Sequence, residues 1–355
     1  MAQIDELLRY LKEHEGSDLH LAAGLEPRIR VNGELRPVEG QARLGDEALR
    51  KLLREVATES QWRTYDEKHD LDFAYGLDGV ARFRANFFVQ ERGAGAVLRM
   101  IPEKIVPLEE LKLPKAIEDL VHLRKGLVVV TGPTGSGKST TLAGIVDKIN
   151  RSYSKHILTL EDPIEFVHEN KKSVISHREV GSHTEGFGPG LRAAIRQDAD
   201  VVLVGEMRDY ETISLALTAA EMGMLVFGTL HTNSAPKTID RIIDTFPSDE
   251  QSQIRLSLAE SLAGVIAQLL LPTSDGKGRV AANEILLKTK ALPNIIREAN
   301  FGMLGSFIQQ GKADGMQLMD DALFELVSAK RVDPRDAYAK ASDKPRFEPL
   351  LPKDP

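Results

Sequence analysis

The sequence predicts an α/β chain: a small α+β domain first, then a parallel sheet covered by helices. Three observations predict it. An all-apolar, β-branched run, Gly126 to Thr131, leads directly into a glycine-rich loop and a helix. From there apolar strands alternate with helical patterns, the sign of a parallel sheet with crossover helices. Pro102, Pro107 and Pro114 stand close together between the two regions and mark a linker rather than a continuous helix.

Taken in order, Met1 to Glu15 reads as an amphipathic helix, with Ile4, Leu7, Leu8 and Leu11 on one stripe. Ile29–Val31, Leu71–Tyr75 and Val80–Val89 have strand composition, and Asn32-Gly33 signals a turn between short strands. Asp46 to Tyr65 reads as helical. After the loop that follows Thr131, a helix runs to about Asn150. Ile157–Leu160, Val201–Val204 and Leu225–Thr229 read as buried strands, with helices over about Gly190–Asp198 and Tyr210–Glu221. Beyond Pro247 the pattern predicts mostly helix, including a buried helix over Leu262–Leu271, and one strand near Val280–Leu287.

Composition narrows the function classes. The 355 residues include no cysteine, which excludes a disulfide scaffold, a thiol nucleophile and thiolate metal sites, and suits a reducing compartment. The net charge is −7, with 46 basic against 53 acidic residues, so no general affinity for nucleic acid is expected. No secretory signal and no apolar run long enough for a membrane span is expected. No pair of histidines has metal-ligand spacing, so no zinc is expected.

The chemistry concentrates in one constellation. Gly132-Pro133-Thr134-Gly135-Ser136-Gly137-Lys138-Ser139 satisfies the full phosphate-loop pattern between a strand and a helix. Its glycines let backbone N–H groups face phosphate oxygens, and the helix start adds partial positive charge. Lys138 suits the β- and γ-phosphates and the Ser139 hydroxyl suits Mg²⁺. With Thr140, these residues form the expected nucleotide cradle. Two strands end in carboxylates. Val201–Val204 leads to Gly205-Glu206, so Glu206 stands in for the usual aspartate; it suits Mg²⁺ directly or through water. The other pair is Glu161-Asp162, before Pro163. His231 follows the Leu225–Thr229 strand, where it can sense a γ-phosphate. Arg82 and Arg84 leave one face of a strand, near Arg92 and Arg99. They either form a charged outer face or neutralise triphosphate from another domain or subunit. Arg192 and Arg196 suit the acidic strand ends or phosphate.

The order of these boxes resembles that of the secretion ATPases of type II secretion and type IV pili. Gly16-Ser17-Asp18-Leu19-His20-Leu21, Arg30-Val31-Asn32-Gly33-Glu34-Leu35 and Arg82-Phe83-Arg84 through Arg99-Met100-Ile101-Pro102 look like the PilT-type pilus retraction branch. Pro293-Asn294-Ile295-Ile296-Arg297-Glu298 is similar to a C-terminal segment that the family links to retraction. The resemblance implies a PAS-like domain over 1–100, a linker over 101–114 and a RecA-like ATPase core over 115–345 with a helical C-terminal subregion. Residues 346–355 are then an irregular tail. It implies ATP and Mg²⁺ as cofactors, and Arg82, Arg84 and Arg99 in composite nucleotide sites.

The reading that results is a Mg-ATP-driven hexameric motor for pilus retraction, cytoplasmic and seated at the inner-membrane pilus machine. Its expected partners are further copies of itself, the membrane platform protein and an accessory retraction ATPase. Glu206 positions or polarises the attacking water, Glu161 assists or replaces it as base, and His231 reports the γ-phosphate. The rival readings are the accessory motor itself, a nucleotide-gated binding module with slow hydrolysis, and a DNA-directed ring.

Overall fold

The computed structural model describes residues 3–31, 33–101 and 104–352. The chain divides into two compact units, Met1–Lys104 with Pro163–Val167, and Ile105–Asp162 with His168–Pro355.

The first unit contains α1 (Gln3–Glu13), β1 (Asp18–Ala22), β2 (Arg28–Val31), β3 (Glu34–Pro37), α2 (Asp46–Arg54), α3 (Glu59–Lys68), β4 (Asp70–Leu77), β5 (Ala81–Gln90) and β6 (Gly93–Ile101). Its six strands form one antiparallel sheet in the order β3-β2-β1-β6-β5-β4. The apolar stripe of α1 packs with Leu19, Phe83, Phe87 and Leu98 in a single core. On β5 the alternation is strict: Ala81, Phe83, Ala85 and Phe87 are buried, while Arg82 and Arg84 leave the other face.

The structure refines one sequence expectation here and adds a strand that no sequence expectation covered. The helical stretch expected over Asp46–Tyr65 is present as two helices, because Thr58 caps α3 and exchanges hydrogen bonds with Gln61 in a capping box. Strand β6 starts Gly93-Ala94-Gly95-Ala96, a composition that disfavours strands in isolation. It is a strand because the Phe88 ring covers it: a Cβ on Gly95 would lie 2.4 Å from that ring. Of the expected Asn32-Gly33 turn, Asn32 lies outside the described residues, as does Pro102 of the linker; Gly33 has φ +87°.

The second unit contains α4 (Lys115–Asp119), β7 (Gly126–Thr131), α5 (Lys138–Ser152), β8 (His156–Glu161), β9 (Val174–Glu179), α6 (Phe187–Ala194), β10 (Val201–Val204), α7 (Tyr210–Glu221), β11 (Leu225–Leu230), α8 (Ala235–Asp244), α9 (Gln251–Ser261), β12 (Leu262–Pro272) and β13 (Arg279–Leu287). Five helices follow: α10 (Leu292–Arg297), α11 (Leu304–Gln310), α12 (Met319–Ser328), α13 (Pro334–Lys340) and α14 (Lys344–Phe347). The seven-stranded sheet runs β13-β12-β7-β11-β10-β8-β9. All neighbours are parallel except β12 and β13. β7 is central, and all six of its residues are buried.

Two expectations fail in this unit. Leu262–Leu271 is not a buried helix but strand β12, parallel to β7 and antiparallel to β13. A strand buried on both faces shows no alternation, so its apolar run imitates a core helix. The tail is not irregular throughout: α14 and a short 3₁₀ turn at Glu348–Leu350 occupy it. Phe347 is fully buried there, edge-on to Phe324.

Glu284 on β13 is buried and joins two helix starts. Oε1 accepts from Ala235 N–H at 2.7 Å and Oε2 from Met319 N–H at 3.4 Å. Burial raises its pKa above the ordinary carboxylate range.

Phe347→Ala is expected to cost about 3 kcal/mol, the usual loss for emptying a buried ring site. Urea unfolding with hydrogen exchange resolved over α12–α14 checks this. Unchanged protection there would mean that the tail contributes nothing to the fold.

Candidate active site

Strand β7 delivers the loop. The chain leaves it at Gly132, where φ is +147° and a Cβ would lie 2.3 Å from the Gln268 carbonyl oxygen. Gly135 and Gly137 also have positive φ, and Gly137 starts α5 from a left-handed conformation. These three glycines occupy backbone states that other residues adopt only under strain. The Lys138 ammonium is buried and donates to the carbonyls of Gly132 (2.8 Å) and Pro133 (3.2 Å). Ser139 and Thr140 are half-buried in the first turn of α5.

The carboxylate expected at Glu206 is at the end of β10, and the structure explains its position. A Cβ on Gly205 would sit 3.1 Å from the Leu160 carbonyl oxygen and 3.3 Å from Glu161 Cα. A side chain at 205 is therefore crowded by the neighbouring strand end, and the acidic group falls one residue later. Arg208 Nε donates to Glu206 Oε1 at 2.7 Å, and His231 Nε2 lies 3.1 Å from the same oxygen. Burial opposes ionisation of Glu206, but Arg208 and His231 outweigh it and hold the carboxyl below its usual pKa. Glu206 in turn raises the pKa of Arg208, with a smaller contribution from Asp162. Glu161 is buried at the end of β8, adjacent to β10.

The histidine segment is tied to the loop by hydroxyls. Thr131, the last residue of β7, donates to the Thr232 carbonyl at 2.6 Å, and its oxygen lies 2.8 Å from the Thr232 hydroxyl. Thr232 continues to Thr238 on α8 at 2.7 Å. On the other side, Thr229 Oγ1 donates to the Gly205 carbonyl. Gly132–Thr140, Glu161, Glu206 and His231 thus share one end of the parallel sheet, where such sheets bind ligands.

Arg82, Arg84 and Arg99 belong to the first unit. Arg84 and Arg99 are cross-strand partners; Arg84 lies 3.5 Å from Asp72, and Arg99 donates to Asp18 at 2.7 Å. Arg192 pairs with Glu211 on α7 rather than with a strand-end carboxylate. Arg208, Thr131 and Gln268 are contributors that the sequence did not single out for roles. A polar residue inside the apolar run of β12 was the one visible sign of Gln268.

Replacing Arg208 by Ala removes the stronger of the two groups that keep the Glu206 carboxyl ionised. The folded-state pKa then rises, so the acid limb of the hydrolysis profile is expected to move to higher pH. A pH series of kcat/KM measures it, and an unmoved limb would separate Glu206 from the titration.

A family model described as type II/IV secretion system protein matches residues 4–313. The chain is 49% identical over 338 residues to a type IV pilus retraction ATPase, PilT, of Pseudomonas aeruginosa, covering 95% of this chain and 98% of that protein. It is 49% identical over 317 residues to a twitching motility protein of Neisseria gonorrhoeae, covering 89% of this chain and 84% of that one. A crystal structure of the pilus retraction motor PilT with bound ADP superposes with a TM-score of 0.91 at 42% identity, over 98% of this chain and all of that one. With its phosphate loop and strand-end carboxylates placed as described, the chain belongs to the type II/IV secretion system protein family, as a PilT-type ATPase.

Proposed function

We propose that this protein is the ATP-driven motor of type IV pilus retraction, working as a homohexamer on the cytoplasmic side of the inner membrane against the pilus platform protein. The observation that carries the reading is a convergence. Loop, Glu206–Arg208–His231 cluster and Thr131–Thr232 link meet at one sheet end in a chain that matches a pilus retraction ATPase along 95% of its length.

In this reading the loop amides and Lys138 hold the ATP phosphates. Lys138 exchanges the carbonyls of Gly132 and Pro133 for phosphate oxygens. Ser139 and, through water, Glu206 suit Mg²⁺. No cluster of three or more His, Asp or Glu able to hold a metal occurs among the described residues, so the fit is to a cation that arrives with phosphate and keeps most of its waters. When bound, Mg²⁺ neutralises charge on the transferred phosphoryl group.

A carboxylate held below its ordinary pKa is a weak base but a reliable hydrogen-bond acceptor, so Glu206 orients the attacking water more than it deprotonates it. That suits phosphoryl transfer, in which positioning and charge stabilisation dominate. Glu161, buried on the next strand, is the assistant. His231 touches Glu206, and Thr232 beside it touches the strand that carries the loop, so a change at the γ-phosphate reaches α8 through two short links. In this reading Arg82, Arg84 and Arg99, presented on a PAS-like sheet domain, contribute to composite nucleotide sites with a neighbouring subunit.

Glu206→Gln is expected to slow single-turnover hydrolysis by about 100-fold while ATP binding is kept. Normal hydrolysis in Glu206→Gln with loss in Glu161→Gln would reverse the assignment. In cells, Lys138→Ala at the native locus is expected to leave abundant surface pili that no longer shorten, followed with labelled filaments. Loss of pili would point to an extension motor, and unchanged retraction to an accessory or unrelated role.

A further inference from the structure

Gln268 is a polar side chain in the middle of a strand that is otherwise apolar, and it is 2% exposed. It sits on β12 one residue beyond the register pair Ala267–Thr131, level with Gly132. Its carboxamide makes three buried hydrogen bonds. Nε2 donates to the Ser136 carbonyl at 2.7 Å. Oε1 accepts from the Thr141 hydroxyl at 2.9 Å and from Asn283 Nδ2 at 3.1 Å. A carbonyl oxygen only accepts, so the amide orientation is fixed by its partners. The side chain thus bridges the loop, the helix after it and the sheet edge at β13. Gly137 is moulded to this side chain, and Gly132 to the backbone of the same residue. A Cβ on Gly137 would lie 2.9 Å from Nε2, and one on Gly132 would strike the Gln268 carbonyl.

We propose that Gln268 is a positioning residue for nucleotide phosphate, acting through the peptide between Ser136 and Gly137. This rests on the reading of the loop as the phosphate cradle. A trans peptide is planar, so its C=O and N–H point in opposite directions. Anchoring the Ser136 carbonyl to the sheet turns the Gly137 N–H away from the sheet, in the direction an anion nest requires. Without the anchor this peptide is free to flip, and a carbonyl dipole would then face the phosphates. Thr141 and Asn283 hold the carboxamide in place and do not act on the loop themselves.

The test is ADP binding by calorimetry on the full chain, with steady-state ATP hydrolysis beside it. Gln268→Met keeps the volume and removes the hydrogen bonds. It is expected to weaken ADP binding and raise the KM for ATP about tenfold, the worth of one buried hydrogen bond. The fall in kcat should be smaller than the rise in KM, and the polar groups left buried and unpaired are expected to lower the unfolding temperature of the nucleotide-free protein as well. Thr141→Val, which loosens the far end of the carboxamide, should weaken ADP binding roughly threefold. ADP affinity in Gln268→Met equal to wild type, measured on protein that is folded at the assay temperature, would overturn the proposal, as would a loss seen in kcat with KM unchanged. If Gln268→Met does not fold, Thr141→Val decides, and wild-type affinity there overturns it. Failure of the unaltered chain to bind ADP would instead remove the nucleotide reading itself.

Discussion

A strand buried on both faces and paired on both edges has a fixed end, and β7 is such a strand. Parallel β11 and β12 flank it, its six residues are buried, and the loop begins where it stops. Everything chemical in the second unit is placed relative to that end. β10 and β8 reach it with their carboxylates, β11 reaches it with His231, and Thr131 is tied across to the histidine segment. The constraint also dictates β12. Without a partner on that edge, the backbone N–H and C=O groups of β7 would be buried and unsatisfied, at about 1–3 kcal/mol for each group left so.

That dependence explains what sequence could reveal. The phosphate loop was legible because phosphate binding demands glycine at set positions and lysine at another. The strands before Glu161, Glu206 and His231 were legible because continuous apolar β-branched runs have few other uses. β12 was not: Leu262–Pro272 is apolar and leucine-rich, and only its neighbour on the sheet decides its state. β6 went unassigned for a related reason, since its glycines and alanines make sense as a strand only under the Phe88 ring. The site followed the same division. Lys138, Ser139 and Glu206 belong to a motif; Arg208, Thr131 and Gln268 act through contacts between segments distant in sequence.

The electrostatics of the site have one centre. Glu206 gathers Arg208 and His231 onto a single carboxylate oxygen, and Gly205 keeps the preceding position clear of the neighbouring strand. Two cationic or polarisable groups on one anion give an arrangement that shifts when a more highly charged anion arrives nearby. Glu206 itself is held at the end of β10, so the arginine and the histidine are the parts of the cluster that can move.

The carboxylate of Glu284 has a mechanical consequence. One buried group holds the first N–H of α8 and of α12, and neither helix can withdraw without leaving that group or its own amide buried and unpaired. The two helix starts are therefore pinned to one point of β13, although 74 residues lie between Asp244 and Met319. In engineering terms the carboxylate is a shared pin: loosening it would free two helix ends at once.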